Sequence, residues 1–192
     1  MDTTLIDNQY EKSIDIEQFK VDSNAFESLV QKYQKPVFAF LIGMHIPYAQ
    51  VEDLAQDIFI TVFENLDQYQ PEKSQLITWI FTIARNKAVS YFRHKKIKDF
   101  FGFSNEGLSS SVGPDLTQGI QQKENQVIVT KALQKLTLQY RTVCTLYFFN
   151  NLSLDEIAII EKCSLGTVKS RLFRGKDNLK KIIQELGYES AI

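Results

Sequence analysis

Two cysteines, two histidines and four prolines in 192 residues leave little material for several kinds of chemistry. Cys144 and Cys163 stand alone, without the paired spacing of a zinc site or the clustered set of a disulfide framework. Both are expected to be small buried hydrophobes. His45 and His94 lie in different contexts, the latter in the basic stretch FRHKK, and no glycine-rich phosphate loop occurs. An enzyme is therefore not expected, nor a metal site or cofactor. Nowhere do about eighteen apolar residues run together, which excludes a membrane-spanning helix. The opening MDTTLIDNQYEKSIDIEQF is acidic and polar and lacks the apolar core of a signal peptide, so a reduced, cytoplasmic protein is expected. Strand-like alternation is scarce as well.

A net charge of −1 argues, taken alone, against a polyanion binder. The distribution argues the other way. Residues 1–30 hold seven acids against two lysines, whereas 85–98 (RNKAVSYFRHKKIK) hold six Lys/Arg and no acid. Residues 162–181 hold seven Lys/Arg and one acid, Asp177. Salt confines a charge's influence to about 10 Å, so two basic patches on an acidic background can each act locally. Either patch alone would read as a solvated helix face.

Apolar residues recur at helical spacing almost throughout. A first helix is expected after Asn24, with Glu27 as capping-box acid, a stripe of Phe26, Leu29, Val30, Tyr33, Val37 and Leu41, and a bend near Pro36. A second covers about 51–66 on Val51, Leu54, Ala55, Ile58, Val62 and Leu66. Residues 67–75, around Pro71, read as a loop, and 76–97 as a third helix burying Ile77, Ile80, Phe81, Ala84 and Ala88. The Gly- and Ser-rich, aperiodic run 102–119 reads as a linker. Helices are expected beyond it at 122–136, 138–149, 153–161 and 165–186. The chain is thus expected to be all-α: an extension (1–22), a helical domain (23–99), a linker (100–121) and a second helical domain (122–187).

Ser153 and Glu156 form a capping-box pattern, and Ser164 can cap the helix that follows a three-residue turn. A short capped helix, a tight turn and a longer basic helix make a helix-turn-helix pattern. At 100° per residue, Leu165, Val168, Leu172, Leu179 and Ile183 share the core face. Ser170 and Arg174 lie roughly opposite Leu172, and Lys169 lies about 60° from it. Phe173, about 100° away, suits either edge packing or contact with a base edge or thymine methyl. Arg174 can pair bidentately with guanine, Lys169 with guanine or phosphate, and Arg171, on the other flank, with phosphate. On its own this helix pair equally fits a dimeric repressor or response-type regulator.

The stretch LSLDEIAIIEKCSLGTVKSRLFRGKDNLK resembles the C-terminal region of extracytoplasmic-function (ECF) sigma factors, the small members of the bacterial sigma-70 family. VEDLAQDIFITVFENLDQY, TWIFTIARNKAVSYFRHKK and, upstream, FESLVQKYQKPVFAF resemble that family's region two in order and spacing. Ser90 stands where Asp is usual, Thr137 where Pro is usual and Gly175 where Ala is usual. The resemblance implies a transcription initiation factor that binds RNA polymerase core and promoter DNA, without covalent chemistry. Asp53, Leu54, Gln56, Asp57 and Phe59 would meet the clamp helices of the β′ subunit, and the β flap would be a second contact. Trp79, Arg85, Asn86, Lys87 and Arg93 would meet the minus-ten element, with the 67–75 loop as the wall of a base pocket. On residue type alone, Trp79 reads as core. Thr167, Lys169, Ser170, Arg171, Phe173 and Arg174 would meet the minus-thirty-five element. The resemblance also implies an anti-sigma partner.

Overall fold

The computed structural model describes residues 23–100 and 120–187. The expected extension and residues 101–119 of the expected linker lie outside the described residues. Among those described there are seven α-helices and no strand: α1 (Ser23–Gly43), α2 (Tyr48–Glu64), α3 (Leu76–Phe100), α4 (Ile120–Lys135), α5 (Leu138–Phe148), α6 (Leu154–Glu161) and α7 (Leu165–Glu185), with a 3-10 turn at Leu66–Gln68.

The first three helices assemble on their apolar stripes. Leu29, Tyr33, Val37, Phe40 and Leu41 of α1 meet Val51, Ala55, Ile58, Phe59 and Val62 of α2 and Leu76, Ile80, Phe81, Ala84 and Ala88 of α3 in one buried cluster. Phe40 and Phe81 meet edge-on at 5.6 Å, the arrangement ring quadrupoles favour. Phe26, Val30 and Ile77 are only half-buried. Helix α1 runs unbroken through Pro36, and Asn24 already lies within it. Glu27 accepts a hydrogen bond from Gln31 Nε2 at 3.1 Å.

Helices α4–α7 form the second module on Ala132, Leu133, Val143, Leu146, Ile157, Ile160, Val168, Leu172, Leu179 and Ile183. Gly175, the departure noted above, has a packing cause. A methyl group there would stand 2.5 Å from Cys144 Sγ and 3.6 Å from Tyr140 Cβ, so the glycine lets α7 lie close on α5. Burial pushes the Cys144 thiol up to about 12, consistent with an inert space-filling role. Cys163 is only half-buried.

The two modules pack against each other, α3 lying along α6. Arg141 of α5 clasps them. Its Nε donates to Leu133 O (2.9 Å) and its Nη2 to Gln134 O (2.5 Å) and Leu136 O (2.9 Å), satisfying carbonyls at the end of α4. Its Nη1 reaches across to Met44 O at 3.0 Å, and its guanidinium lies 5.8 Å from the Phe92 ring centroid on α3. Beside it, His45 turns the chain between α1 and α2 with a left-handed φ of 63°. Burial, then the charges of Arg141 and Lys95, hold its imidazole below its usual pKa.

Two outcomes are expected. Gly175→Ala should lower stability by about 1–3 kcal/mol in denaturant melts, although alanine favours helix, and Cys144→Ala should recover most of that loss. Equal effects of Gly175→Ala in both backgrounds would contradict the close approach. Folded His45 resists protonation, so stability should be full above its unfolded pKa of about 6.5 and fall as pH drops below it. His45→Asn, which tolerates positive φ, should flatten that fall in pH-dependent thermal melts.

Candidate nucleic-acid and polymerase interfaces

The helix-turn-helix is built by its caps. The N–H of Glu156 donates to Ser153 Oγ (3.2 Å) while the Ser153 N–H donates to Glu156 Oε2 (2.8 Å), closing the capping box at the start of α6. Lys162 ends α6 in the left-handed conformation (φ 50°), letting the Cys163 N–H return to Ala158 O at 3.1 Å. Ser164 Oγ then accepts from the Thr167 N–H at 3.1 Å and starts α7. The Thr167 hydroxyl lies 2.9 Å from Ser164 Oγ, so Thr167 belongs to the cap as well as to the candidate surface.

On α7, Val168, Leu172, Gly175, Leu179 and Ile183 face inward. Leu165, expected with them, is half-buried. Lys169, Ser170, Phe173 and Arg174 are exposed together. At 75% exposure Phe173 is no edge-packing residue. A large aromatic held in water between two cations invites a partner with flat apolar faces.

On α3, Trp79, Asn86 and Arg93 recur every seven residues and so share a face. Trp79 is half-buried, its ring centroid 5.4 Å from that of buried Tyr69, whose hydroxyl donates to Ser74 O at 3.1 Å. The 67–75 loop thereby leans on the start of α3. Asn86 and Arg93 are exposed and Lys87 is half-buried.

Arg85 departs from that face. Its Nε donates to Glu161 Oε1 at 2.8 Å, while Arg171 Nη1 of α7 donates to Glu161 Oε2, also at 2.8 Å. One carboxylate, its side chain 3% exposed, thus holds a candidate minus-ten cation and a candidate minus-thirty-five cation. Sequence reasoning missed Glu161. One signal was available: an acid in the last turn of a helix opposes the macrodipole, and such a placement needs cations from elsewhere.

Helix α2 presents Asp53, Gln56, Asp57, Ile60 and Glu64 to solvent on one face, with Phe63 beside them. Ile60 and Phe63 are 54% and 45% exposed. Phe59 does not join this surface: it is 7% exposed and packs in the core, because it falls on the Ala55/Val62 side of the helix. Leu54 is half-buried. The apolar members of the surface are therefore Ile60 and Phe63, which the expected set omitted. Among the described residues, no group of three His, Cys, Asp or Glu side chains is placed to hold a metal ion. No helix there is long and apolar enough to cross a membrane.

Comparison with known proteins follows the same division. Residues 29–97 match the family model for sigma-70 region 2, and residues 126–179 that for sigma-70 region 4. The ECF RNA polymerase sigma-E factor of Escherichia coli strain K12 is 33% identical over 178 residues, covering 87% of this chain and 91% of that protein. The RNA polymerase sigma-H factor of Pseudomonas aeruginosa is 29% identical over 175 residues, covering 86% and 89%. The sigma factor RpoE of Bartonella quintana, solved with the anti-sigma factor NepR, has a TM-score of 0.69 at 25% identity over 83% of this chain and 96% of that one. CnrH, solved with the cytosolic domain of CnrY, shares the fold at a TM-score of 0.66 and 21% identity over 88% and 95%. With both region models matched in order and a relative alike over nearly its whole length, the chain belongs to the sigma-70 family of RNA polymerase sigma factors, in its extracytoplasmic-function group.

Proposed function

We propose that this ECF sigma factor docks on polymerase core through α2, reads the minus-thirty-five element with α7 and holds the melted minus-ten element against α3. The observation that carries the reading is the exposed set Lys169, Ser170, Phe173 and Arg174 on a capped helix whose opposite side is core. That set combines a guanine-pairing guanidinium, a second cation, a hydroxyl and an apolar ring. Asn86 and Arg93 add an amide for a base edge and a cation for phosphate. The Tyr69–Trp79 contact gives the loop a firm base for one wall of a pocket around an unstacked base.

Strand separation would then draw on base capture and phosphate contacts made in the holoenzyme, not on nucleotide hydrolysis. On α2, carboxylates around Ile60 and Phe63 suit a partner that offers basic residues around an apolar strip, the role proposed for the β′ clamp helices. A contact with the β flap is proposed from the family alone. The relative solved with an anti-sigma factor supports an anti-sigma partner here too, and the protein is proposed to act in the cytoplasm.

Reconstituted transcription with purified chain and core polymerase tests the whole. Promoter-specific initiation is expected only when both are present. A free chain that binds palindromic duplexes stably, and start sites indifferent to its addition, would contradict it. Arg174→Ala is expected to weaken promoter-dependent initiation by about 1–3 kcal/mol, read as the promoter concentration for half-maximal output. Ile60→Asp and Asp57→Arg are expected to weaken core binding in pull-downs while leaving thermal stability within about 0.5 kcal/mol. Phe59→Ala is expected to do the reverse, costing about 3–5 kcal/mol of stability.

A further inference from the structure

We infer that the last two turns of α3 hold the double-stranded DNA just upstream of the minus-ten element. Phe100 and Ile97 lie against its groove, and Arg93 and Lys96 lie on its phosphates. This deepens the promoter-binding reading above and rests on it.

Helix α3 outruns the core it packs on. Among its described side chains Ala88 is the last that is buried, and Phe92, covered by the Arg141 guanidinium, is half-buried. Beyond it Arg93, His94, Lys96, Ile97 and Phe100 are exposed, Phe100 at 84% and Ile97 at 48%. At 1.5 Å per residue, this end carries the helix about 12 Å past its last core contact.

The end of the helix continues the candidate minus-ten face. At 100° per residue, Asn86, Ile97 and Phe100 fall within about 40° of Arg93, and Lys96 within about 60°. Trp79, Asn86, Arg93 and Phe100 follow one another at seven-residue steps. A single exposed apolar side chain is ordinary, but Ile97 and Phe100 are neighbours at i, i+3 spacing.

Charge selects the occupant. Helix α2 carries a similar pair, Ile60 and Phe63, among the carboxylates of Asp57 and Glu64, which suits a basic protein surface. Around Ile97 and Phe100 the exposed ionisable groups are Arg93, His94 and Lys96, and residues 85–98 contain no acid. That pair suits a polyanion with apolar edges. A duplex groove supplies both, with phosphates for the cations and thymine methyl groups for the ring.

Position selects the stretch of DNA. The 67–75 loop, at the start of α3, is the proposed wall around the unstacked base. The other end of α3 leads on to the module proposed to read the minus-thirty-five element, so the helix points upstream. From Asn86 to Phe100 the helix rises about 21 Å, or about six base pairs at 3.4 Å per pair.

Two experiments test this with the full chain and polymerase core on a promoter. A photocrosslinking residue, Phe100→p-benzoylphenylalanine, is expected to join DNA within about six base pairs upstream of the minus-ten element. Crosslinks that spare DNA, and go instead to polymerase subunits, to residues 101–119 or to a second copy, would overturn the inference.

In hydroxyl-radical footprints, Ile97→Ser with Phe100→Ser is expected to weaken protection of those base pairs about tenfold. Protection of the minus-thirty-five element and the circular dichroism spectrum should not change. Lys96→Gln should lower the slope of log affinity against log salt by about 1, which a purely structural helix end would not do. Full protection by the double variant, with both elements still covered, would overturn the inference alone. A wild-type chain plus core that protects neither element would defeat the promoter-binding reading itself.

Discussion

A carboxylate buried at the C-terminal end of a helix is stable only if cations come to it. Glu161 ends α6, where the helix dipole already repels negative charge, and its side chain is almost wholly covered. The cations come from α3 and α7, elements of different modules. Much of the arrangement between the modules follows from that requirement. It sets α3 along α6 and brings Arg85 and Arg171, one from each basic stretch, onto a common acid. The clasp of Arg141 on Met44 and the close pass of α1 by Thr145 at Gly43 make the same joint from the other end.

The apolar core runs across the joint: Phe40 and Phe81 of one module and Leu146 and Ile157 of the other belong to one buried cluster, and the polar contacts between the modules border it. A near-neutral chain can also carry basic candidate faces without clinging to every nucleic acid if part of their charge is met within the fold, as that of Arg85 and Arg171 is by Glu161.

Most of the helices were legible because their apolar residues recur at helical spacing, and the caps at Ser153 and Ser164 placed the helix-turn-helix to within a residue. The recognition face was legible for the same reason: α7 is strongly amphipathic, so angle from Leu172 nearly determines exposure. Helix α2 was less readable. Apolar residues ring most of it, and only packing separates inward Phe59 from outward Ile60 and Phe63. Gly175 looked like a local loss of helix stability, because the cause is a sulfur atom on another helix. The module contacts were invisible for a deeper reason. Arg85–Glu161, Arg141–Met44 and Asn150–Pro36 join residues 76 or more positions apart, and no periodicity or motif encodes such a pairing.

The account's central claim is that the exposed set on α7 meets promoter DNA while α2 holds polymerase core. Footprinting of a promoter by the chain together with polymerase core measures this directly. The account predicts protection at the minus-thirty-five element that Phe173→Ala weakens about tenfold while core binding stays unchanged. Equal protection by both chains would contradict it.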